Sequence, residues 1–276
     1  MSRPARQPII VIGMHRSGTS VLTRSLERLG LFLGNHKDPN HEALFFLRLN
    51  RWILQQSGGS WDHPAPVRDL IRHEEVSKAV IDHLTFSLKS PGSVSFLGWR
   101  FYFRYRRIDR LDIHWGWKDP RNTFTLPLWL KVFPEARIVY IERHGADVAN
   151  SLLKRQEHCL AQAREVYNQR KPIYALLGKR KGFTDSIRCA TLEGGFSLWE
   201  EYVSEARKHL RELGGRALEI RYEDLVLNAV ETVKRVASFC GLDPSNDSVV
   251  RATRDVDPRY YCAVQPPSTK RVLPVT

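Results

Sequence analysis

The sequence has little sulfur and no long apolar run. It holds 276 residues, of which two are methionine and four are cysteine. Cys159, Cys189, Cys240 and Cys262 form no C-x-x-C pair and have no metal-ligand spacing, so neither a thiol-redox pair nor a cysteine-bound metal is written into the chain. Cys240 falls on an apolar helical face and reads as a core thiol. No apolar stretch approaches the roughly 18–20 residues of a membrane span. The opening MSRPARQP carries two arginines but runs into only four apolar residues, too few for a secretory leader. Free thiols with no export signal point to a reducing cytoplasm. Acidic residues are in deficit, 30 against 43 basic ones, giving a net charge of +13. That balance concentrates anions: a polyanionic small molecule, an acidic polymer, nucleic acid or a membrane surface. Repeats and low-complexity segments are absent. With 42% hydrophobic and 26% charged residues, the chain reads as one globular domain over 1–276, with irregular ends at 1–8 and about 265–276.

What is present is organised around IIVIGMHRSGTSVLTRSLERL, residues 9–29. Ile9 to Ile12 is a short β-branched run without polar alternation, the pattern of a strand buried on both faces. Gly13 to Thr19 is a turn of small residues. Ser20 to Leu29 has helical periodicity, with Gly30 as its stop. Strand, glycine-bearing loop and helix together form an anion cradle, because the loop amides and the helix N-terminus converge. A triphosphate-binding loop would read G-x-x-x-x-G-K-[ST]. Gly13 and Gly18 have that spacing, but Thr19 stands at the lysine position and the positive charge is Arg16. A kinase or NTPase is therefore disfavoured, since the missing lysine is the one that reaches the β- and γ-phosphates.

Further along, His41–Gln56 reads as a helix with Glu42 in its first turn, and Val67–Leu88 as another. Residues 96–110, FLGWRFYFRYRRIDR, interleave arginine with aromatics. The stretch is either a half-buried element with arginines on its wet side or a base-stacking, phosphate-gripping surface. Trp115 to Arg121 is a short strand and turn, since the residue before a proline is extended. Thr123–Phe133 is a helix. Ile138–Glu142 is a second core strand, followed by the turn Arg143–Gly145 and a helix over Ala146–Arg155. Residues 156–188 show no clear pattern. Leu192–Leu213 is the most regular helix, with Phe196, Trp199, Val203, Ala206, Leu210 and Leu213 on one face. A third strand, Ala217–Arg221, leads into a turn at Tyr222–Asp224 and a helix over Val230–Cys240. Alternation of this kind predicts an α/β fold, a P-loop-like parallel sheet with helices on both faces. Ligands then sit beyond the carboxyl ends of the strands, which aligns the turns at Arg16, Lys118, Arg143 and Tyr222 along one edge.

Arg16-Ser17-Gly18-Thr19-Ser20, Arg143 followed by Ser151 and Arg155, WKDP and RYEDL all stand in this one chain. Together they resemble the sulfotransferases that use 3′-phosphoadenosine-5′-phosphosulfate (PAPS), notably the bacterial group and more distantly the tyrosylprotein and carbohydrate enzymes. The resemblance implies that Arg16, Ser17, Gly18, Thr19 and Ser20 hold the 5′-phosphosulfate. Arg143, Ser151 and Arg155 would hold the 3′-phosphate, and Tyr222 would touch the nucleotide. Lys118 would sit by the sulfuryl group, and Glu223 and Asp224 would cap the turn that follows. A guanidinium fork suits a phosphate dianion.

The reaction implied is in-line transfer of SO3 to an acceptor hydroxyl, releasing adenosine 3′,5′-bisphosphate (PAP), with no metal required. The acceptor proton needs a base, a contribution of roughly 10²–10⁴-fold. By resemblance that base is Glu42, eight residues before Asn50; His15 is the alternative because it lies inside the loop. The segment reads D-P-N-H-E where the bacterial group has N-P-x-G-[YF]-x-E, so the glycine is missing. A saccharide, itself anionic or not, is the acceptor expected of a chain without an integral membrane segment, and a tyrosine peptide is the alternative. Nucleic acid is not an expected partner.

Overall fold

The computed structural model describes residues 4–179, 182–254 and 256. Ile9 to Ile12 form strand β1 (Ile9–Gly13), buried along its whole length. The other strands are β2 (Gly116–Lys118), β3 (Arg137–Glu142) and β4 (Ala217–Arg221). All pair in parallel in the order β2-β1-β3-β4, with Ile10 opposite Trp117 on one side and Ile138 on the other. The central position of β1 explains its unbroken apolar run. The helices are α1 (Thr19–Arg28), α2 (Leu44–Gln56), α3 (Val67–Arg72), α4 (Glu74–Lys89), α5 (Val94–Tyr105), α6 (Asn122–Val132), α7 (Gly145–Leu177), α8 (Leu192–Leu213), α9 (Tyr222–Leu227), α10 (Ala229–Cys240) and α11 (Asn246–Ala252). None of them is long and apolar enough to cross a membrane among the described residues.

Strand alternation sends side chains to two cores. Ile10, Ile12, Ile138 and Tyr140 join the tryptophans of β2 and α6 on one face. There Phe46 stacks on Trp117 at 3.9 Å with a 4° interplanar angle, and Trp129 meets both edge-on. Ile9, Val11, Val139 and Ile141 pack on the other face against Leu22 and Leu26 of α1 and Val233, Val236 and Cys240 of α10. Cys240 is thus the core thiol expected, and burial pushes its pKa up to about 12. Helices cover both faces of a parallel sheet, as the alternation predicts.

Several elements differ from the sequence reading. α2 starts at Leu44 rather than His41. Asp38 Oδ1 accepts the Glu42 amide at 2.7 Å, and His41 has a φ of 61°, so Glu42 lies in the turn ahead of the helix. The helix over 67–88 breaks at His73, which is extended and accepts the Val76 amide as the cap of α4. α7 does not stop near Arg155; it runs to Leu177 through Pro172, and its buried positions end at Gln156. That solvated second half lacks an apolar stripe, which is why periodicity does not reveal it. Phe196 of α8 faces solvent, and the inward face includes Leu198, Tyr202 and His209. α11 adds a short helix that periodicity does not predict. Cys262 and the ends expected to be irregular, save residues 4–8, lie outside the described residues.

One polar side chain joins three parts of the core. Asn50, fully buried on α2, donates to Asp119 Oδ2 at 2.9 Å and Asn122 Oδ1 at 2.7 Å. Its own Oδ1 accepts from Thr125 Oγ1 and Trp129 Nε1, both at 2.8 Å. Removing a shared partner leaves several buried groups unsatisfied, each worth roughly 1–3 kcal/mol. Asn50→Ala is therefore expected to destabilise the fold by about 3 kcal/mol or more, read from the urea midpoint at unchanged m-value.

Candidate active site

The loop between β1 and α1 is shaped by two left-handed residues, Arg16 with a φ of 69° and Gly18 with a φ of 87°. A Cβ on Gly18 would lie 2.1 Å from the ring of Tyr222, so glycine is required by space as well as conformation. Gly18 is the N-cap of α1, and no side chain caps the helix there. The Val21 amide is satisfied by the Gly18 carbonyl at 3.0 Å, and the amides ahead of it suit an anion. No acidic residue occupies that turn.

The cleft above this loop holds about 470 Å3. Small-molecule sites run from roughly 300 to 1,000 Å3. His15, Arg16, Gly18, Thr19, Ser20, Glu42, Lys118, Arg143, Ser151, Arg155 and Tyr222 all line it. Ser17 lies behind the loop, fully buried, and its hydroxyl has no partner among the described residues.

At one end, Arg16 Nε donates to Ser151 Oγ at 2.9 Å, and Arg143 Nη1 donates to the Arg16 carbonyl at 3.3 Å. Arg143 also lies 4.7 Å over the Tyr222 ring, and its Nε is buried without a partner among the described residues. Glu223 Oε1 accepts the His144 amide at 3.0 Å, so this carboxylate holds the Arg143 turn across the sheet edge rather than capping its own helix. Arg155 lies 5.5 Å over Trp61 and is paired with Asp185, and neither partner is marked by any motif. Burial first, then Arg155 and Arg143, draw the Arg16 guanidinium below its ordinary pKa. Such crowding of like charges favours a bound anion.

At the other end, Lys118 is 2% exposed and donates to the Asn40 carbonyl at 2.6 Å and to Glu42 Oε1 at 3.2 Å, with Ser20 Oγ at 3.5 Å. Arg121 Nη1 reaches Glu42 Oε2 at 3.2 Å and Asp119 Oδ1 at 2.8 Å. Glu42 is 4% exposed. Burial foremost, then Asp119, raises its pKa against the pull of Lys118 and Arg121. His15 packs edge-on to Trp61 at 4.8 Å, and its Nε2 is buried without a partner among the described residues. Burial, then Arg121, Arg155, Lys118 and Arg16, hold its pKa well below the usual histidine value, so the ring is neutral.

Sequence reasoning gives no role to Asp119 or Arg121, although both follow Lys118 directly around Pro120. A D-P-R string after a core strand is the available signal. Nothing in the sequence marks Asn40 or Trp61, which reach the site only through the fold.

The model of the sulfotransferase family matches residues 8–247. In fold the chain is similar to sulfotransferase STF1 from Mycobacterium tuberculosis H37Rv, at 14% identity and a TM-score of 0.51, covering 90% of this chain and 71% of that one. It is also similar to a sulfotransferase from Alicyclobacillus acidocaldarius, at 17% identity and a TM-score of 0.47, covering 87% and 83%. Mouse sulfotransferase SULT7A1 complexed with PAP aligns at 16% identity and a TM-score of 0.47, over 95% of this chain and 69% of that one. No curated protein matches by sequence.

The neutral His15 gives a pH prediction. Its folded pKa is depressed, so the unfolded chain binds the proton first, below about pH 6.5. Folding stability is then lost as pH falls through that value. His15→Gln should lessen the acid slope of stability by up to about 1.4 kcal/mol per pH unit below pH 6.5, measured by urea titration at several pH values.

Proposed function

The chain belongs to the sulfotransferase family, and from that footing we propose that it transfers SO3 from PAPS to an acceptor hydroxyl on a saccharide. The observation that carries the transfer reading is the meeting of Arg16 with Ser151 and Arg143 in one cleft. Two phosphate-binding elements, one after β1 and one after β3, face a single ligand-sized volume. A nucleotide with phosphates at both ribose ends fits two neighbouring cationic elements of this kind better than a triphosphate does. The Arg143 Nε, without a partner among the described residues and on a cleft-lining side chain, is consistent with an anionic ligand.

In this proposal, the α1 amides and Arg16 hold the 5′-phosphosulfate, and Arg143, Ser151 and Arg155 hold the 3′-phosphate. Tyr222 supports both through its contacts with Gly18 and Arg143. The acceptor oxygen attacks sulfur as the bond from sulfur to the bridging phosphate oxygen breaks. Glu42 takes the acceptor proton, helped by the burial that raises its proton affinity. Lys118 offsets the charge that develops on the departing oxygen. Its ammonium touches both Glu42 and the Ser20 hydroxyl at the start of α1, which suits a place between base and leaving group. His15, neutral and packed against Trp61, supports the loop rather than taking the proton. A net charge of +13 suits an acceptor that is itself anionic.

The test is transfer of labelled sulfate from PAPS to a panel of saccharides and tyrosine peptides, run beside Glu42→Gln. The variant is expected to keep PAP affinity within about twofold and to lose turnover by about 10²–10⁴-fold. Unchanged turnover would move the base elsewhere. Magnesium-dependent ATP hydrolysis with no response to PAPS would replace the whole reading.

A further inference from the structure

The basic aromatic stretch at 96–110 plays no part in the cleft, and the structure divides it in two. Phe96 and Leu97 enter the core. Gly98 then leaves helical geometry, with a φ of 66° and a ψ of 164°. Asn35 holds the kink: a Cβ on Gly98 would lie 2.8 Å from Asn35 Cγ, and the Asn35 amide donates to the Phe96 carbonyl at 2.7 Å. Beyond the kink the chain turns large apolar rings outward. Trp99 is 67% and Phe103 63% exposed, stacked on one another at 5.9 Å. Large aromatics left this open on a folded surface mark an interaction site.

The surroundings are cationic. Arg106 lies over Phe103 at 5.3 Å and over Tyr102 at 5.7 Å. Arg100, beside Trp99, is exposed and has no acidic partner among the described residues. A cavity of about 380 Å3 opens next to Trp99, with Leu44 and Val94 as apolar walls and the exposed Arg48 at its edge. Arg48 likewise has no acidic partner among the described residues.

We propose that this face docks on an anionic lipid bilayer, with Trp99 and Phe103 entering the boundary between headgroups and acyl chains while Arg48 and Arg100 meet lipid phosphates. Three observations favour this occupant. Phe103 is stacked against Trp99 and has Arg106 over its ring, so the pair does not form the row of separate open platforms on which successive nucleobases stack. A second copy of the chain would bring like-charged arginines together. An amphipathic surface with Trp and Phe amid arginines is the composition that lies in a bilayer interface.

The experiment is co-sedimentation of the full chain with vesicles of phosphatidylcholine alone or mixed with phosphatidylglycerol, at low and high salt. Binding is expected only with phosphatidylglycerol, and it should fall with salt. Replacing Trp99 and Phe103 together by serine should weaken it by about tenfold or more. Arg48→Gln with Arg100→Gln should weaken it independently. PAP affinity should stay unchanged in all of these, because none lines the cleft, and circular dichroism checks that each variant is folded. No binding to the mixed vesicles overturns the proposal, and so does binding indifferent to the aromatic pair. Tighter binding of a single-stranded oligonucleotide, or a dimer abolished by the same variants, would reassign the surface.

Discussion

The structure depends on a buried, charge-balanced cluster at the carboxyl end of β2. Lys118 and Arg121 face Glu42 and Asp119 at 2.8 to 3.2 Å, and Asn50 anchors Asp119 from beneath. Isolated, any of these charges would be expelled from so dry a position. Paired, two cations and two anions cancel. Such a cluster adds little net stability, but it is unforgiving of change, because losing one member strands another. Its effect is to fix the Asn40–Glu42 turn against the strand edge. The Glu42 carboxylate is thereby held in the cleft beside a buried lysine.

That arrangement connects local geometry to the proposed chemistry. In the proposed reaction, a proton taken by Glu42 would leave the cluster with one surplus positive charge as the departing phosphate oxygen gains negative charge. The opposite end of the cleft is cationic for a different reason. There Arg16 and Arg143 come from separate strand–turn–helix units and are brought within one hydrogen bond of each other by the β1–β3 pairing. The Tyr222 ring packs directly against Gly18 of the loop.

Much of this is legible in the residues alone. Ile9–Ile12 and Ile138–Glu142 read as core strands because a β-branched run without polar alternation suits a position buried on both faces, and the turns after them carry the arginines. Elements that depend on tertiary partners are harder to read. Glu42 looks like a first-turn helix residue, but a single hydrogen bond from its amide to Asp38 delays the helix to Leu44. The solvated half of α7 has no periodicity to detect, and Pro172 argues against it. Asn50 reads as part of a motif, whereas its four hydrogen bonds make it a structural hub. The 96–110 stretch leaves two readings open, and the division into a buried and an exposed part matches the half-buried one. Its first residues are core and its later ones are surface, with Gly98 as the divide.

One cleft that grips both phosphates of a single adenosine ligand is the central claim. Calorimetric titration with PAP and with adenosine 5′-monophosphate measures that most directly. Each charge-assisted hydrogen bond lost with the 3′-phosphate is worth roughly 1.5–3 kcal/mol, so PAP should bind about a hundredfold tighter or more. Ser151→Ala and Arg143→Gln should shrink that preference and leave monophosphate binding nearly unchanged. Equal affinity for the two ligands, in wild type and variants alike, would contradict the claim.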